Sequence, residues 1–112
     1  MTTDDISFVR SDTPTLTVTI LDNDNAAFDL TAYTARFTVK ENRLDTNSDA
    51  LIGPLTMTIA APATGIATLT LTTSQTDIIG GEYWYDIEVN NGTSYHTVTG
   101  PSKCTIVEDV TK

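Results

Sequence analysis

Few residues in this chain are of a type and spacing that could do chemistry. Asp22-Asn23-Asp24-Asn25 collects the carboxylate and amide oxygens that hard cations prefer. A calcium-binding loop of the EF-hand kind needs glycine at its sixth position and glutamate at its twelfth, and here those positions hold Ala27 and Tyr33. The four residues read instead as a turn, because short Asx side chains bond back to their own backbone. Two acidic pairs, Asp86 with Glu88 and Glu108 with Asp109, have the residue types of general acid and base. Glycosidic chemistry requires two carboxyls facing each other across a cleft. Asp86 and Glu88 fall side by side on one strand face, which reads as a solvated surface.

Cys104 is the single cysteine and His96 the single histidine, so the chain has one possible thiol–imidazole pair and no internal disulfide. No Gly-x-Ser-x-Gly elbow accompanies His96. The bland readings are a buried apolar cysteine and an ordinary hairpin histidine. Asn91-Gly92-Thr93 fits the N-glycosylation pattern, but without an export signal it is a turn. The sequence therefore nominates no catalytic, cofactor-binding or metal-binding residue. Trp84 alone keeps a functional reading: alternation places it outward between Glu82 and Asp86, and tryptophan is over-represented in binding hot spots. It is the candidate interface residue; its plainer account is an indole lying over threonine methyls and long side-chain stems.

Those residues must be held by strands. From Gly81 the chain reads Glu-Tyr-Trp-Tyr-Asp-Ile-Glu-Val, with Tyr83, Tyr85, Ile87 and Val89 on one side and acids with Trp84 on the other. Strict period-2 alternation is the pattern of a strand with one buried face. Leu16, Val18 and Ile20 alternate with Thr15, Thr17 and Thr19 after Pro14, which suits a first strand position. Tyr33 to Lys40 alternates again, Met57 and Ile59 mark a shorter strand after Gly53-Pro54, and Ala67, Leu69 and Leu71 alternate with threonines. Threonine makes up roughly a fifth of the chain, which suits the outer face of a sheet. Residues Glu41 to Ala50 read as a polar loop. Thr73-Ser74-Gln75-Thr76 is placed to cap one short helical turn through Asp77 to Ile79. Asn90-Asn91-Gly92 predicts a hairpin, and strands near Ser94–Val98 and Lys103–Val107, parted by Gly100-Pro101, complete the set.

About seven to nine short strands with regularly spaced turns predict an all-β fold: an immunoglobulin-like antiparallel β-sandwich, one domain over residues 1–112. Gly81-x-Tyr83-x-Tyr85 resembles the pattern of the immunoglobulin strand F, with Tyr83 at the tyrosine corner and Tyr85 in place of the second cysteine. The partner cysteine has no match. A chain of this length can bury about 65% of its unfolded surface, enough to fold without staples.

Charge narrows the partners. Six basic residues against fifteen acidic ones give a net charge of −9, and the basic residues are scattered. Nucleic acid and anionic membrane surfaces are poor partners for such a chain. No apolar run is long enough to span a bilayer, and the start Met-Thr-Thr-Asp-Asp lacks the features of a signal peptide. Synthesis in a bacterial cytoplasm without export is the expectation.

Four segments taken in order carry a family likeness: Phe28 to Lys40, Thr64 to Leu71, Gly81 to Ile87 and Thr105 to Thr111. Their order and spacing resemble the immunoglobulin-like domain at the N-terminus of phage baseplate upper proteins and related small tail proteins of phages and prophages. The resemblance covers nearly the whole chain and implies a non-enzymatic docking or spacer module in the virion. Its partners would be other tail or baseplate proteins and further copies of itself. Longer relatives continue past the final Asp-Val-Thr whereas this chain ends at Lys112, so a structural role is implied rather than host recognition. The alternative, from another class, is a β-sandwich module that binds carbohydrate or a cell surface.

Overall fold

The computed structural model describes residues 5–22, 24–42 and 50–108, and the side chains of 98–101 are left aside. Seven strands form two packed sheets: β1 (Ile6–Val9), β2 (Thr15–Thr19), β3 (Thr34–Lys40), β4 (Ile52–Thr56), β5 (Ile66–Thr70), β6 (Gly81–Asn90) and β7 (Tyr95–Val107). One sheet has five strands in the order β1-β7-β6-β3-β4, and the other pairs β2 with β5. This is the strand order of an immunoglobulin-like sandwich, antiparallel except for the parallel pair β1/β7.

The two sheets meet over a core whose members alternate along each strand. Ala35, Phe37 and Val39 point inward from β3, Tyr85, Ile87 and Val89 from β6, and Cys104 and Ile106 from β7. Ala67, Leu71, Ile20 and Leu30 close it from the opposite side. The Phe37 and Tyr85 rings meet at a centroid distance of 5.7 Å, tilted by 37°, in its centre. Full burial of each large apolar side chain contributes about 1.5–3 kcal/mol, which holds the strands in this register.

Four expectations need correction. Ile6–Val9 forms a strand that no sequence pattern announced, because four residues are too few to show a period. The strand expected at Met57–Ile59 lies earlier, at β4, and runs through Gly53-Pro54 with a cis peptide between them; Thr58 keeps only a single bridge to Thr68. Proline is tolerated because β4 is a sheet edge. Glycine is required at 53, where φ is +80° and a Cβ would lie 2.5 Å from the Phe37 carbonyl oxygen. The two expected last strands are one, β7. Its Gly100-Pro101 lies beyond the reach of β1, which covers only Cys104–Val107, and register shifts opposite Tyr85–Glu88 absorb the extra residues. Finally, the helical turn is Thr73–Thr76 itself (α1), not the residues after it. Thr72 is its N-cap, with a reciprocal capping box to Gln75.

The turns agree with their chemistry. Asp22 Oδ1 accepts the Asp24 and Ala26 amides at 2.8 and 3.1 Å, and Asn25 takes a left-handed φ of 62°. In the β6–β7 hairpin Asn91 Oδ1 accepts from Thr93 and Ser94, with Gly92 at φ 90°. The polar loop expected over 41–50 falls mostly on residues 43–49, outside the described residues, as do Met1 to Asp4 and the closing Asp109 to Lys112.

At the α1–β6 corner the Tyr83 hydroxyl donates to the Ile79 carbonyl, as a tyrosine corner does, with Tyr85 two residues on and 4% exposed. Replacing Tyr83 with phenylalanine keeps the packed ring and removes this bond. Tyr83→Phe is expected to lower unfolding free energy by about 1 kcal/mol at unchanged native circular dichroism, read as a shift of the urea midpoint at constant m-value.

Candidate interface

The outer face of the five-stranded sheet is built by the residues that the core leaves over. On β6 these are Glu82, Trp84, Asp86 and Glu88. Register pairs Trp84 with Lys40 on β3 and with Lys103 on β7, so the indole position sits in a row between two lysines. Trp84 is half-buried rather than fully outward. Lysine stems are long enough to lie beside an indole while their ammonium groups stay in water.

The adjoining rows are polar and paired. Glu82 lies 3.5 Å from Lys103 Nζ, and Glu88 lies 3.9 Å from Arg36. Arg36, Thr38, Pro54, Asp86 and Glu88 border a shallow hollow of about 50 Å³. Thr38 is buried although it belongs to this face, so the hollow has a neutral floor. Burial raises the Asp86 carboxyl above the ordinary carboxylate range; Lys40 pulls it back down and Glu88 pushes it up.

The other residues singled out by type are not brought together. His96 stands among aromatic neighbours, with ring centroids 6.3 Å from Phe28 and 6.4 Å from Tyr33. Cys104 is on the same strand, roughly 25 Å further along an extended chain. It is fully buried, and burial pushes its thiol up to about 12, far from a thiolate at neutral pH. Asp86 and Glu88 are neighbours on one outer face, not opposed across a cleft, and both are half-buried rather than fully solvated as the alternation suggests. Glu108 accepts from Arg10 at 3.1 Å and from the Gly80 amide, a bracing role, and Asp109 is outside the described residues. A wider hollow of about 590 Å³ lies at the β1–β2 turn, lined by Ser7, Ser11, Thr13 and Thr73 among others, and its one charged residue is Asp12. Among the described residues no group of three His, Cys, Asp or Glu side chains is placed to hold a metal, and no helix is long and apolar enough to cross a membrane. Sequence reasoning missed Lys40 and Lys103 as neighbours of Trp84; only the strand register reveals them.

The Asp86 environment gives a signed expectation. Its folded-state pKa lies above the ordinary value, so the folded protein holds this proton longer than the unfolded chain. The group penalises folding least below the ordinary carboxylate range, and stability falls as pH rises through the folded value. Asp86→Asn is therefore expected to raise the urea midpoint relative to wild type at pH 7 and to leave it nearly unchanged at pH 3. A variant that is destabilised at pH 7 would contradict a dominant burial effect. No family model matches the chain, and a search of curated proteins returns no relative.

Proposed function

We propose that this chain is a non-enzymatic structural component of a phage or prophage particle. It acts as an immunoglobulin-like docking or spacer domain of the tail or baseplate, working by surface contact. The observation that carries the reading is the Trp84 row: a large aromatic on a central strand of a rigid sheet, half-buried between two lysine positions. Binding hot spots favour such residues, because a tryptophan held on regular structure loses little freedom when a partner covers it. Paired charges around it, Arg36–Glu88 and Lys103–Glu82, form a polar rim of the kind that surrounds interface cores. The resemblance of four ordered segments to phage baseplate and tail domains supplies the biological setting. Other tail proteins are the partners, and the virion is the destination.

The direct test is mass spectrometry of gradient-banded particles from an induced culture of the bacterium that carries the gene. The chain is expected in intact particles at a stoichiometry that fits a symmetric ring. Absence from them overturns the virion reading. Within particles, Trp84→Ala is expected to weaken incorporation by about 30-fold, the equivalent of a 2 kcal/mol hot spot. Its circular dichroism and urea midpoint should stay close to wild type. Normal incorporation of a folded Trp84→Ala chain would remove Trp84 from the contact.

A further inference from the structure

The two-stranded sheet ends at β2, and nothing among the described residues pairs with its open side. Alternate residues of β2 bond to β5: Pro14 O accepts from the Leu71 amide at 2.9 Å, and the Ile20 amide donates to Gly65 O at 2.7 Å. The same alternation turns the N–H and C=O groups of Thr15, Thr17 and Thr19 outward, where another strand can meet them. Two other edges are blunted, since β4 holds Gly53-Pro54 and Thr58 bridges the outer side of β5. The remaining edge strand, β1, borders the same opening as β2.

Apolar side chains in that opening lack cover. Leu16 and Val18 pack against the core yet stay half-buried, whereas Phe37 and Val39 of β3 are fully buried. A groove of about 310 Å³ accounts for the difference, with Ile6 on one wall, Leu16 and Val18 on the other, and Phe37, Tyr85 and Ile87 beneath. At Ser7 it adjoins the wider hollow of the β1–β2 turn. A strand bonded to β2 would send every second side chain into this groove and cover Leu16 and Val18.

Charge sets what such a strand must carry. Acids stand around the opening: Asp12 lines the wider hollow, Asp5 precedes Ile6 of β1, and Asp22 follows the far end of β2. Neither hollow has a lysine or arginine among its lining residues, and nearby Arg10 is held by Asp77 and Glu108. A second copy of this chain would bring its own −9 and set acid against acid. A segment with basic ends gains attraction at the same places.

We propose that the β2 edge receives an extended segment of another protein, apolar at alternate positions and carrying lysine or arginine at its ends. Its backbone bonds to Thr15, Thr17 and Thr19, its apolar side chains fill the groove, and its cations lie beside the flanking carboxylates. The contact lies on the other sheet from Trp84, so its failure leaves particle incorporation to be judged separately.

The probe is a synthetic peptide of about nine residues, alternating valine and threonine between terminal lysines, long enough to span the strand and its flanks. It is titrated into the isotope-labelled chain at low salt and followed by amide NMR and hydrogen exchange. The Thr15, Thr17 and Thr19 amides are expected to shift and to exchange more slowly, with affinity falling as salt rises. The same peptide with terminal glutamates is expected to bind about tenfold more weakly or worse. Thr17→Pro removes one outward amide and no bond to β5. Asp12→Lys reverses one flanking charge on an exposed side chain and keeps the backbone bonds of residue 12. Each variant is expected to keep the native circular dichroism and to lose about tenfold in affinity or more. Should Thr17→Pro fail to fold, Asp12→Lys decides. No peptide-dependent protection of β2, equal binding of the two peptides, or full affinity in the folded variants would each overturn the proposal. Protection of the same amides on concentrating the chain alone would make a second copy the occupant, and would overturn it too.

Discussion

Burial of Tyr85, Ile87 and Val89 beneath the second sheet is the constraint on which the rest of the molecule depends. A strand has a period of two, so fixing three inward residues fixes every outward one. A one-residue slip of β6 would drive Trp84, Asp86 and Glu88 into the core and expel three apolar side chains. At about 1.5–3 kcal/mol for each apolar side chain, that loss alone is comparable with the whole stability of a small domain. The candidate face thus exists because the core needs its counterpart. Trp84 is held outward by its buried neighbours on the same strand.

The same logic explains why one end of the sandwich is bound so closely. Strand β6 begins at Gly81, and the chain must leave α1 and enter the sheet with its polar groups satisfied. Tyr83 takes the Ile79 carbonyl, and Glu108 takes the Gly80 amide. A Cβ at Gly80 would stand 2.9 Å from Glu108 Cγ, so a side chain there would displace the glutamate that caps its amide. Arg10 spans Asp77 and Glu108 at 2.8 and 3.1 Å, while the Thr76 hydroxyl reaches the Asp12 carbonyl at 2.7 Å. Exposed ion pairs contribute little singly. Here they join the β1–β2 turn, the α1 corner and the end of β7, three pieces far apart in sequence. The corner that aims β6 is consequently braced from both chain ends.

How much of this was legible beforehand depended on whether a residue's environment is local. The alternating runs at Leu16–Ile20, Tyr33–Lys40 and Tyr83–Val89 could be read directly, because each carries enough residues to reveal its period. The tyrosine corner was legible too, since its spacing to Tyr85 is fixed within one strand. Gly53-Pro54 and Gly100-Pro101 misled for a shared reason. Both look like breaks, yet each lies where a strand edge is unpaired and a missing amide removes no ladder bond. The brief β1 was invisible because its strand character comes from β7, a partner almost a hundred residues away. Trp84 could be named, but not the lysine on each side of it, because register between strands is a tertiary property. For the same reason the open β2 edge could not be seen in a run whose residues alone promise only an ordinary strand.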